Sequence, residues 1–144
     1  MSTIQELQQR IGEINAANGW RTTNEADLDD KARVNAQITR LALITTEVAE
    51  AIEELRNGRD VAEEYFSGGV DYAAVGDAES LESWEPLDAN GAPRKPEGVP
   101  SELADIVIRA LDAAGAWGLD LGAVIERKLA YNVARGHRHG GKAV

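Results

Sequence analysis

Apolar residues recur along this chain at helical spacings, and almost nowhere do they alternate as in a half-buried strand. Ile4, Leu7, Ile11 and Ile14 step by three and four, which predicts a helix over 2–17 with Ser2 as N-cap and Asn18-Gly19 as its end. Val34, Ile38, Leu41, Thr45, Val48, Ile52 and Leu55 then alternate steps of four and three. They predict a helix over 28–56 carrying a bundle seam, stopped by Asn57-Gly58. Residues 59–97 break the periodicity with four Gly, three Pro and ten acids against three bases. That is long for a loop in a compact domain and points to a functional excursion or an insertion; Val61 to Phe66 is compatible with a helical turn. A third helix opens at Pro100-Ser101-Glu102, with Ser101 as N-cap, and ends near Gly118. Its apolar face is Leu103, Ile106, Val107, Ala110, Ala114 and Trp117. Asp120 caps a fourth helix that runs to about Arg135, and a glycine-rich tail follows. The expectation is one all-α domain over 1–144, a four-helix bundle with a long acidic insertion between helices two and three.

Composition supports that expectation and narrows the chemistry. The chain is 43% hydrophobic, enough for a core, and its 23 alanines against seven aromatic residues favour helix over strand. Without cysteine there is no disulfide framework, zinc-cysteine site or cysteine nucleophile. No run approaches the ~18 apolar residues of a membrane span and the start has no apolar signal region, so a cytoplasmic protein without a membrane partner is expected. A formal charge of -10 argues against nucleic acid as a partner. That charge is uneven. After Glu126 there is no acid, while Arg127, Lys128, Arg135, Arg138 and Lys142 supply cations.

At 100° per residue, Glu47, Glu50 and Glu54 share one narrow face of the second helix, away from its seam. Like charges one turn apart repel, and a bound cation would reverse that cost; the bland alternative is an acidic face in solvent. Glu102 and Asp105 sit beside the apolar face of the third helix at i and i+3. Together, ExxE and ExxD on consecutive antiparallel helices can bring four carboxylates about one point, the oxygen-rich environment a hard divalent cation requires. On the fourth helix Leu121, Val124 and Ile125 define an inward stripe that Lys128, Asn132 and Arg135 continue. Charges there are either a grip on phosphate or the wet end of a helix that outruns the core. Gly136, Gly141 and Lys142 fit part of a P-loop, but Ala143 replaces its hydroxyl residue and no helix follows. With His137 and His139 both in the tail, no Glu-x-x-His di-iron pattern exists in the helices.

Glu47-Val48-Ala49-Glu50, Glu102-Leu103-Ala104-Asp105, and Lys128 through Asn132 to Arg135 running into Arg138-His139-Gly140-Gly141-Lys142 resemble the MazG-like all-α nucleoside triphosphate pyrophosphohydrolases. The likeness covers helices two to four and the tail. It implies Mg²⁺-dependent cleavage of (d)NTPs between the α and β phosphates, with Mn²⁺ as a substitute metal, in a homodimer or a tetramer built from dimers. Carried over by motif, Glu47, Glu50, Glu102 and Asp105 would be metal ligands. Lys128, Asn132 and Arg135 would hold phosphates or sugar, with Arg138 and Lys142 as further candidates. Glu50, where metal leaves it free, would accept a proton from the attacking water, and Lys128 would stabilise the departing pyrophosphate. The 51 residues between Glu50 and Glu102 exceed the family's usual interval, which puts substrate choice in doubt more than chemistry.

For the base, Trp20 is either a stacking platform or a plug over the bundle end; Trp117 reads as core, and Trp84 belongs to the insertion. Two alternatives remain open at this point. One is a related all-α enzyme acting on phosphoribosyl-ATP; the other is a non-catalytic acidic helical protein that binds a partner.

Overall fold

The structure, a computed structural model, describes residues 3–20, 24–67, 87–88, 90–91 and 93–135. Four helices dominate: α1 (Ile4–Ala17), α2 (Asp30–Arg56), α3 (Val99–Ala116) and α4 (Leu121–Ala134). A 3₁₀ turn at Glu25–Asp27 precedes α2, and β1 (Tyr65–Ser67) pairs antiparallel with β2 (Lys95–Glu97). The expected helical class holds, with this short ribbon added. Val61 to Phe66 forms no helical turn of its own: a tight turn at 61–62 leads into β1.

The chain divides into two compact units, one of residues 1–37 with 110–144 and the other of residues 38–109. In the first, Thr3 rather than Ser2 caps α1, through a reciprocal box in which the Thr3 hydroxyl accepts from Glu6 N and Glu6 accepts from Thr3 N. Side-chain amides bind α1 to the α3–α4 corner: Gln8 Nε2 donates to Leu119 O at 2.8 Å and Gln5 Nε2 to Asp120 Oδ2 at 2.9 Å. Asp120 caps α4 by accepting from Ala123 N, as its sequence position predicts. Leu111, Ala113 and Ala114 are the buried apolar residues here. Trp117 is half-buried rather than a core residue, its indole N–H donating to Glu25 Oε2 at 3.0 Å.

The second unit has an unusual interior. Among the described residues its buried side chains are Val99, Glu47, Arg94, Ser101 and Glu102, so four of the five are polar or charged. Helix α3 begins at Val99, two residues before the expected cap. Ser101 lies inside the first turn, and its hydroxyl donates to Pro96 O at 3.0 Å. Pro100 costs nothing in that turn, because its missing N–H would have no helical partner.

Two apolar stripes face outward. The seam residues Val34, Ile38, Leu41, Val48, Ile52 and Leu55 of α2 are each between 41% and 58% exposed. The packed side of α2 follows Ala36, Arg40, Ile44, Glu47, Ala51 and Glu54 instead. On α3, Leu103 and Val107 are likewise exposed, and the buried row passes through Glu102. The periodicity found the helices and, along α3 and its end, the half-buried or buried Ile106, Ala110, Ala114 and Trp117, but it took the exposed side of α2 for the inner one. Among the described residues this seam, spaced for helix packing, is left half-exposed.

Candidate metal centre

Glu47 projects from α2, and Glu102 and Asp105 from α3, all within the unit 38–109. One carboxylate oxygen from each lies within 4.8 Å of the other two. Glu47 is 4% exposed and Glu102 3%, with Asp105 half-buried. Helical spacing accounts for the pair on α3: residues at i and i+3 lie on one face, so both carboxylates point the same way.

Ionised carboxylates in such a place are costly unless each is compensated. Glu47 has a partner in Arg109, one turn after Asp105, whose Nε donates to Glu47 Oε1. Glu102 is less well served. Its Oε2 is buried with no hydrogen-bond partner, one of two such side-chain atoms among the described residues. Burial, and after it the charge of Glu50, pushes the Glu102 carboxyl up to about 7. Burial and then the charge of Glu47 raise Asp105. A purely structural ion pair would need only Glu47 and Arg109. It leaves the bare Glu102 oxygen unexplained, whereas a divalent cation would bind that oxygen and relieve the repulsion together.

The donor set suits a hard cation. Three carboxylates with no nitrogen or sulfur donor match Mg²⁺, Mn²⁺ or Ca²⁺. So small a number of protein ligands leaves coordination positions for water and phosphate oxygens, the usual arrangement of Mg²⁺. Glu50, the other acid of the ExxE motif, is exposed and lies outside the close triad, though its charge is felt at Glu102.

The ribbon holds the first turn of α3 in place. Gly98, between β2 and α3, has φ +96°, and a Cβ there would come within 2.4 Å of Glu63 O. Only glycine allows the backbone both that conformation and that approach. At the same end of the ribbon, where Tyr65 pairs with Glu97, the Tyr65 hydroxyl donates to Glu54 of α2, 3.1 and 3.2 Å from its two oxygens. The Arg59 guanidinium stacks 4.1 Å over the Tyr65 ring and pairs with Glu63 at 2.7 Å. Burial and the bond to Glu54 push the Tyr65 hydroxyl up to about 12, so it stays a donor.

Lys128, Asn132 and Arg135 belong to the unit formed by 1–37 and 110–144. From Glu126 to Arg135 every residue of α4 and its cap is exposed, so the inward stripe ends at Ile125. Lys128 Nζ and the Arg135 guanidinium lie 5.4 and 5.8 Å from the centre of the Tyr131 ring. Trp20 is 77% exposed, which excludes the plug and leaves an open aromatic face. Arg138, Lys142, both histidines and Trp84 fall outside the described residues.

Sequence reasoning missed three residues around the carboxylates: Arg109, Lys95 and Glu97. Arg109 carried a usable signal, standing seven residues after Glu102 on the same helix face. Lys95 and Glu97 carried none, because a Lys-Pro-Glu strand of three residues resembles any polar loop. No protein-family model, curated protein or solved structure matches the chain.

Proposed function

We propose that the chain is a Mg²⁺-dependent nucleoside triphosphate pyrophosphohydrolase of the MazG-like kind, releasing the monophosphate and pyrophosphate. The observation that carries this reading is Glu102 Oε2, buried and without a partner amid carboxylates from the ExxE and ExxD motifs. Glu47, Glu102 and Asp105 would hold the metal, whose charge would polarise the phosphates and acidify a water. Glu50, exposed beside the triad, is free to accept a proton from the attacking water. Lys128, Asn132 and Arg135 carry the proposed role of phosphate and sugar contacts from the resemblance. All three are exposed on α4 and its cap. Trp20 offers its open face to a base.

A homodimer, or a tetramer of dimers, is part of the proposal. The exposed α2 seam supports it, since a second copy would bury those residues against the same row. Among the described residues no helix is long and apolar enough to cross a membrane.

The test is a panel of canonical and modified (d)NTPs with Mg²⁺, phosphoribosyl-ATP included, in which pyrophosphate and orthophosphate are separated. Pyrophosphate from at least one (d)NTP supports the reading; turnover of phosphoribosyl-ATP alone moves the assignment to that substrate. No product from any of them leaves a non-catalytic acidic protein.

A further inference from the structure

Strand β2 brings a second cation to the carboxylates. Lys95 and Glu97 stand two residues apart and share one face of the strand. Lys95 Nζ donates to Glu97 Oε2 at 2.8 Å, and Glu97 Oε1 accepts from Ser67 Oγ of β1 at 2.6 Å. The Glu97 side chain is largely buried, at 16% exposure, whereas that of Lys95 is 63% exposed. The anchor is fixed and the ammonium at its end is accessible.

Lys95 does more than pair with Glu97. Pro96 O, on the next residue of the strand, accepts from Ser101 Oγ at 3.0 Å, which ties β2 to the turn of α3 that carries Glu102, and the charge of Lys95 is felt at both Glu102 and Asp105. Glu97, Glu102 and Glu50 all act on Lys95, and carboxylates in that number repel a polyphosphate. A polyphosphate arriving there needs a cation that solvent can reach. Arg109 is committed to Glu47. Lys95, with its side chain 63% exposed, can turn from Glu97 to an incoming phosphate oxygen.

We propose that Lys95 is a phosphate-holding residue of the metal centre, delivered by the ribbon and released from Glu97 when a polyphosphate binds. This rests on the metal reading above and adds a residue from the 59–97 insertion to it. An ammonium in this position has effects of opposite sign on the two ligands: it repels a bare divalent cation and attracts a polyphosphate. A merely structural lysine would not separate them.

The experiment uses the full chain and two probes, Mn²⁺ alone followed by electron paramagnetic resonance, and tripolyphosphate titrated at saturating Mn²⁺. Lys95→Met should bind tripolyphosphate at least about fivefold more weakly, the loss of one charge-assisted contact, while binding Mn²⁺ as tightly as wild type or more so. Lys95→Arg should restore most of the tripolyphosphate affinity. If Lys95→Met binds tripolyphosphate like wild type, or weakens both probes together with a lower Tm, the assignment to Lys95 is overturned and the metal centre stands. If wild type itself binds no Mn²⁺, the metal reading and this proposal fall together.

Discussion

Arg109 Nε donates to Glu47 Oε1 and thereby supplies the compensating charge for the one buried acid of α2. Glu47 is almost wholly inside while Arg109 remains partly wet, so the pair is asymmetric. Removing the arginine strands a buried carboxylate; removing the carboxylate merely frees a cation that solvent can reach. Arg109→Gln should therefore destabilise the metal-free protein by about 1–3 kcal/mol. Glu47→Gln should cost less. Mg²⁺ should recover part of the loss in Arg109→Gln and none in Glu47→Gln, as thermal melts with and without the metal will show.

Glu102 makes stability depend on pH. Its carboxyl titrates near 7 in the folded protein, against 4.5 ordinarily, so the folded state holds this proton more tightly than the unfolded chain. The contribution is fully present below about pH 4.5 and is lost as pH rises to about 7. Metal-free protein should lose stability across that window through this group, and Glu102→Gln should flatten the loss. Metal competes with the same proton, so the rise in Tm on adding Mg²⁺ should be larger at pH 8 than at pH 6.

Gly98 tests whether the ribbon positions the first turn of α3. Gly98→Ala should cost at least about 2 kcal/mol, because left-handed backbone strain adds to a collision with Glu63 O. Gly91 also has a positive φ, but nothing lies near its added Cβ. Gly91→Ala should cost only the strain, about 1 kcal/mol. Equal losses in the two variants would mean that the close approach at Gly98 carries no weight.

These experiments bear on features of unequal visibility in the sequence. Three-four spacing located all four helices, and the Asp120 cap was readable from one residue. Which face of α2 turns inward was not. Hydrophobic periodicity takes the apolar side as the core, but here the row through Arg40, Ile44, Glu47 and Glu54 packs and Ile38, Leu41, Val48, Ile52 and Leu55 remain exposed. The ExxE and ExxD motifs were legible because helical spacing alone aligns their members. The ribbon was not, because its strands are 27 residues apart and pair through the backbone.

The exposed seam gives a direct test of assembly. Wild type should scatter light as a dimer or larger at micromolar concentration, and Ile38→Glu with Ile52→Glu should reduce it to the 15.5 kDa monomer without loss of helix. A wild-type monomer across that range would leave the seam without a role.

The fourth helix separates an enzyme from an inert acidic bundle. Lys128 and Arg135 are exposed, so Lys128→Ala and Arg135→Ala should each alter stability by at most about 0.5 kcal/mol. As phosphate contacts, each should still lower kcat/KM at least tenfold, equal to about 1.4 kcal/mol of transition-state binding. Asn132→Ala should do less, since a neutral amide binds an anion more weakly than a cation does. Wild-type kinetics in both charge-removal variants would take the phosphate role away from α4.

The central claim is that Glu47, Glu102 and Asp105 form a divalent-cation centre, and calorimetric titration of Mg²⁺ into wild type and Glu102→Gln tests it most directly. Wild type should bind the metal at pH 8 with an affinity that falls towards pH 6, while the protons released per metal bound rise. Glu102→Gln should lose that binding while melting no lower than the metal-free wild type at pH 8, because the substitution removes a buried charge. Millimolar Mg²⁺ that gives no binding to wild type, or identical binding to both proteins, would contradict the account.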